Sequence, residues 1–68
     1  MKNKFFLNIK NLRLQKGWKQ EHLAELLKTT QRKVSYWESG KIEPDLDTLW
    51  EIADLFEISI DELLGREQ

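Results

Sequence analysis

Thr29-Thr30-Gln31-Arg32-Lys33-Val34-Ser35-Tyr36-Trp37-Glu38-Ser39-Gly40 reads as a short helix with two unlike faces, and the rest of the chain reads as its mounting. Thr30 is a good N-cap, because its hydroxyl can accept from the free N–H groups of the next turn, and Gly40 stops the helix after its last periodic residue. That leaves about two turns, roughly 12 Å of helix. Val34 and Trp37 share a side with Thr30, so that side is apolar. Gln31, Arg32, Ser35 and Tyr36 fall opposite and offer hydrogen-bond donors and acceptors outward.

Before this stretch, Gln20 to Leu27 places Leu23, Ala24 and Leu27 on one face of a second short helix, where small Ala24 lets another helix cross closely. Lys28-Thr29-Thr30 is too short a connection for anything but a sharp corner between the two. Residues 4–16 set Phe5, Ile9, Leu12 and Lys16 on one stripe, with Asn3 as cap and Gly17 after a basic last turn, which predicts helix 1. Phe6 and Leu7 lie off the stripe, and Trp18 is expected to fold back onto the core. After Gly40, a loop runs to Pro44. Asp45 caps helix 4, Asp47 sits near its positive end, and Leu49, Ile52, Ala53 and Phe56 form its buried stripe. Ser59-Ile60-Asp61-Glu62 is a capping box, flanked by an Ile58–Leu63 staple, and opens helix 5, which runs from Ile60 to about Leu64. No segment has strand periodicity. The prediction is an all-α, compact five-helix domain.

Sixty-eight residues make one domain, 1–68, with its motif core at 20–39. A chain this short buries only about 60% of the surface it exposes unfolded, so the core must be economical. There is no cysteine, hence no disulfide and no thiolate metal site. The start, Met1 to Leu7, lacks the apolar run of a signal sequence because Asn8 and Lys10 interrupt it, and no stretch is long enough to span a membrane. A cytoplasmic protein, nucleoid-associated when bound to DNA, is the expectation. The formal net charge of −1 conceals a division: residues 1–41 carry ten Lys/Arg against three acids, and residues 42–68 carry one against nine. A basic half suits a polyanion and an acidic half is repelled by it, although two solvated faces would read the same way.

Residues 20–39 together resemble the helix-turn-helix of the lambda and Cro type phage repressors, the XRE-type family, and the likeness extends from about Ile9 to Leu64. Gln20 opens the second helix as in that family. Ala24 is its small residue, and Leu23, Leu27, Val34 and Trp37 fill its apolar positions. Glu38-Ser39-Gly40-Lys41 is its exit sequence, Pro44 its proline, and Ile58 through Leu64 its ending. The resemblance implies a lambda-repressor-like fold with the motif formed by helices 2 and 3. Three positions depart from the pattern. Lys28 and Glu57 stand where the family has Gly, which asks for a left-handed backbone at some cost, and Lys19 replaces a Ser or Thr cap.

A helix fits the major groove of B-DNA, where Gln pairs with adenine N6/N7 and Arg with guanine O6/N7, each worth about 1–3 kcal/mol of discrimination. Gln31 and Arg32 are the first candidates for base contacts, followed by Tyr36 and Ser35. Tyr36 suits either a thymine methyl or a phosphate. Lys19, Gln20, Lys33, Ser39 and Lys41 flank the reading face as candidates for phosphate contacts, giving affinity and salt dependence with little sequence choice. The resemblance also implies a salt bridge between Arg13 and Glu38 with a structural role, and core positions for Trp18 and Trp37. His22 has no second ligand with which to share a metal, so a surface histidine is expected, with no metal and no cofactor.

The expected function is a sequence-specific regulator that binds double-stranded DNA, a repressor, dimeric on a two-fold symmetric operator. Leu46, Trp50 and Leu55 offer apolar area away from the basic face as a candidate dimer interface, and Trp50 reads equally well as a core edge. The competing function is a protein-interaction module, antitoxin-like or an antagonist subunit, using acidic helices 4 and 5 with DNA binding secondary. No nucleophile–base pairing, phosphate loop or metal cluster is visible, so an enzyme is not expected.

Overall fold

In the computed structural model, which describes residues 3–66, five helices follow in order: α1 (Phe5–Gln15), α2 (Gln20–Leu26), α3 (Gln31–Ser39), α4 (Leu46–Phe56) and α5 (Ile60–Leu64). Their starts are set by side chains. Thr30 Oγ1 accepts from the Lys33 N–H at 3.1 Å and Asp45 Oδ1 from the Thr48 N–H at 2.9 Å. Ser59 and Glu62 form the reciprocal capping box, at 3.0 and 3.1 Å. Asn3 Oδ1 accepts from the Phe5 N–H at 3.0 Å, so α1 begins one residue later than predicted, with Lys4 at the cap position.

All five helices end in the same way. A left-handed residue turns the chain, and the next amide reaches back to a carbonyl five residues earlier: Trp18 to Arg13 (3.1 Å), Thr29 to Ala24 (2.9 Å), Lys41 to Tyr36 (2.9 Å), Ile58 to Ala53 (3.0 Å) and Arg66 to Asp61 (2.8 Å). The turning residue is glycine at positions 17, 40 and 65, but Lys28 (φ 57°) and Glu57 (φ 58°) at the other two. An L side chain in that conformation costs roughly 1–2 kcal/mol. The fold tolerates the strain because the corner satisfies carbonyls that would otherwise be left open.

The core draws one fully enclosed aliphatic side chain from each helix, Ile9, Leu23, Val34, Ile52 and Leu63, all at 0% exposure. Phe5, Trp37 and Phe56 fill the space between them, and Ala24 and Ala53 permit close crossings. α3 lies against α1 and α2, while α5 bridges α1 and α4. The N-terminal turn clamps α5: the Lys4 N–H donates to Leu64 O at 3.0 Å, and Asn8 Nδ2 donates to Leu63 O at 3.0 Å and Glu62 O at 3.3 Å. These bonds occupy carbonyls at the helix end that have no partner within α5.

One expectation is corrected. Lys16, placed on the stripe of α1 by spacing, is exposed, and the buried position is taken by Arg13, which a carboxylate neutralises. Trp18 packs back onto the core as expected, half-buried, its ring 5.6 Å from Phe56 and 5.3 Å from His22. Of the three candidate interface residues, Leu55 is half-buried and packs on the core, whereas Leu46 (78% exposed) and Trp50 (63%) project outward. Among the described residues no helix is long and apolar enough to cross a membrane.

Candidate nucleic-acid interface

Burial of Val34 and Trp37 fixes the rotation of α3, and everything else on that helix follows from it. Gln31, Arg32 and Lys33 are exposed in its first turn, and Ser35 and Tyr36 are half-buried further along the same helix. The Tyr36 ring is held from one side by Lys41, whose Nζ stands 4.8 Å from the ring centroid, a cation–π contact. Ser39 Oγ donates to Tyr36 O at 3.1 Å, so its hydroxyl is partly committed to the helix end. Thr30, Arg32, Lys33, Tyr36 and Ile42 line a shallow, mainly apolar hollow beside the helix.

The acid of α3 is withdrawn from this face. Arg13 Nε donates to Glu38 Oε2 at 2.6 Å and Arg13 Nη2 to Glu38 Oε1 at 2.9 Å, a two-pronged pair with side chains 10% and 4% exposed. The third arm of the guanidinium, Nη1, donates to Trp18 O at 2.8 Å. Every arm of the buried cation therefore has a partner. The hydrogen bonds to Glu38 raise the pKa of Arg13 above its ordinary value, against the opposing effect of burial.

Gln20 joins this pair to the outer face. Its Nε2 donates to Glu38 Oε1 at 3.0 Å, and its Oε1 accepts from Gln31 Nε2 at 2.6 Å. Gln20 thus has partners on both sides of its amide, an arrangement that neither periodicity nor spacing foretold. The only trace in the sequence is that Gln20, Gln31 and Glu38 all lie at ends of the two helices that meet at the corner. Lys19 precedes α2 with no side-chain bond to the helix end, as the lysine at that cap position predicts, and is exposed together with Lys33 and Lys41.

Asp45, in the acidic part of the chain, has its carboxyl held below the usual range by hydrogen bonds from the Thr48 side chain and backbone. His22 is half-exposed, with Nδ1 3.8 Å from Glu25 Oε1, and the described residues hold no group of three His, Cys, Asp or Glu suited to a metal ion.

Residues 9–63 match the model of a family described as helix-turn-helix. The chain is 42% identical over 57 residues to the HTH-type transcriptional regulator AnsR of Bacillus subtilis (strain 168), a match covering 84% of this chain and 49% of AnsR. It therefore spans about half the length of that relative. A transcriptional regulator from Listeria innocua superposes with a TM-score of 0.92 at 38% identity, over all of this chain and 64% of the other. The P22 c2 repressor protein, solved in complex with a synthetic operator, shares the fold with a TM-score of 0.85 at 22% identity, over 93% of this chain and 96% of the other.

Proposed function

Because the chain belongs to the helix-turn-helix family, we propose that it is the DNA-binding domain of a transcriptional regulator and that α3 enters the major groove of its operator. One observation carries the reading: α3 turns Gln31 and Arg32 outward beside exposed Lys33 while its single acid, Glu38, is paired with Arg13 inside. A face of that composition attracts phosphates and presents amide and guanidinium groups to base edges. Gln31 and Arg32 read bases, with Ser35 beside them. Tyr36 presents its ring at the hollow it shares with Ile42, which suits a thymine methyl better than a phosphate. Lys19, Lys33 and Lys41 hold phosphates; Gln20 and Ser39, each already bonded within the protein, add less.

The domain acts as a homodimer on a two-fold operator whose half-sites lie about 34 Å apart, and represses by occupancy. Exposed Leu46 and Trp50 on α4 favour a protein contact there, either a second copy or a separate partner. Selection from a randomised duplex pool at two salt concentrations tests the reading. A two-fold symmetric site, lost in Gln31→Ala/Arg32→Ala while weak salt-sensitive binding survives, is the expected result. Absence of any enriched sequence would transfer the function to the protein-contact surface of α4 and α5.

A further inference from the structure

We propose that the apolar face of α4 receives α1 of a second copy of this chain, head to tail. The inference rests on the contact surface of α4 proposed above and names its occupant. Four large apolar side chains lie exposed in two patches, Leu46 and Trp50 on α4, and Leu7 (49% exposed) and Leu14 (54%) on α1. The core takes Phe5, Ile9 and Arg13 from α1, so Leu7 and Leu14 stand on the opposite side of that helix. Exposed Lys10 lies between them, and the three sit at i, i+3 and i+7, a stripe about 10.5 Å long. On α4, Leu46, Trp50 and Asp54 form a row at i, i+4 and i+8, about 12 Å long, with exposed Asp47 beside it. The two stripes match in length and apolar character and are opposite in charge.

Charge decides how two copies can use these faces. Among the described residues, none of Lys10, Asp47 and Asp54 takes part in an ion pair. Pairing α4 with α4 about a two-fold axis sets Asp47 and Asp54 against their own copies, and residues 42–68 hold a single base, Arg66, against nine acids. Pairing α1 with α1 gathers two Lys10 ammonium groups on a helix that has no acid. Only α4 on α1 sets apolar against apolar and acid against base. Trp50 enters the gap between Leu7 and Leu14 beside the Lys10 stem, and the Lys10 ammonium reaches Asp47 or Asp54. Both patches face away from the core, so they cannot meet within one copy. Each copy carries one patch of each kind, so the contact leaves an α4 open at one end and an α1 open at the other, and it can repeat. Two short helix faces bury less than the roughly 1,200 Å² of a stable complex, so the contact is weak in free solution, with a Kd on the order of 0.1–1 mM.

Two variants test it, Leu7→Gln/Lys10→Glu, which spoils the face of α1, and Leu46→Gln/Trp50→Gln, which spoils that of α4. All four positions are exposed, and the dispersion of the amide NMR spectrum checks that each variant keeps the fold. In two-dimensional amide NMR of the 68-residue chain, α1 and α4 amides of the wild type should both shift as it is concentrated from about 0.05 to 1 mM. Each variant alone should lose those shifts, its self-association weakened about tenfold or more. Mixed, the two should associate again, because each supplies the face that the other lacks. With one variant isotope-labelled at a time, α4 amides should move in the α1 variant and α1 amides in the α4 variant. An α1 variant that still self-associates through α4 would overturn the inference and leave α4 as a contact between two-fold partners. A wild type in which neither helix responds to concentration, or a mixture in which neither responds, would overturn it as well, and α4 silent in every sample would remove a second copy from that surface altogether. No sample contains DNA, so failure of the reading of α3 cannot be mistaken for failure of this contact.

Discussion

Removing the Glu38 carboxylate should be the most damaging single change to the polar part of this molecule. In Glu38→Ala, Arg13 loses acceptors at 2.6 and 2.9 Å and Gln20 loses one at 3.0 Å, while the guanidinium keeps only its bond to Trp18 O. A hydrogen bond to a charged group contributes about 1.5–3 kcal/mol, and breaking a buried pair from one side costs about 3–5 kcal/mol. The guanidinium can still reach some water at 10% side-chain exposure, which places the expected loss near the lower figure, about 3 kcal/mol. A domain of this length has roughly 3–10 kcal/mol of stability in all, so the variant should be marginal. Urea unfolding followed by far-ultraviolet circular dichroism measures it: with a slope near 1 kcal/mol/M, the midpoint should fall by about 2–3 M. The double variant Arg13→Met/Glu38→Leu, which leaves no charge stranded, should recover most of that loss. A loss below about 1 kcal/mol in Glu38→Ala would mean that the pair behaves like an exposed one, and the account of a buried, fully bonded cation would be wrong.

Lys28→Gly should raise the unfolding midpoint, by about 0.5–1 kcal/mol, because it relieves a left-handed φ of 57° at a corner where no side chain is needed; an unchanged or lower midpoint would refute the strain. The depressed pKa of Asp45 means that its contribution to stability is present above the unfolded carboxylate value and is lost as pH falls through the lower folded value. Midpoints measured from pH 6 down to pH 2 should therefore fall less steeply in Asp45→Asn than in wild type, and parallel curves would refute the link. Lys41→Ala should weaken binding to all duplexes alike and make the slope of log K against log salt shallower by about 0.9, the signature of one lost phosphate contact; loss confined to one base position would reassign it to sequence reading.

The parts of this fold that were legible in the sequence are those set by neighbours along the chain. Thr30, Asp45 and Ser59 cap their helices through bonds three residues long, and the apolar periods of α2, α3 and α4 were read correctly because each helix buries one stripe. Lys28 and Glu57 could be placed in left-handed turns only because a family pattern has Gly there. Spacing failed where a charged residue took an apolar place: Arg13 is buried at the expense of Lys16, and its burial depends on Glu38, twenty-five residues away. Trp18 and Leu55 are only half-buried, since a domain this small has too little interior to enclose every large apolar side chain. Within the candidate interface, the identities of the outward side chains were readable from helical rotation, but the bonding of Gln20 to Glu38 and Gln31 was not, because it depends on how two helices meet.

That meeting point explains why an ion pair occupies a place that two apolar residues could fill. A buried pair gains little stability over a well-packed apolar one, because desolvating both charges offsets most of their attraction. Methionine and leucine at positions 13 and 38 would hold α1 against α3, yet they would leave Gln20 without its acceptor. The carboxylate of Glu38 accepts from Gln20 at 3.0 Å, and Gln20 in turn accepts from Gln31 at 2.6 Å. Keeping Glu38 at 4% exposure also removes the one negative charge on α3 from the exposed face of that helix. The same residue thus closes the core between α1 and α3, leaves the outer face of α3 free of exposed acid, and ties the start of α2 to the end of α3.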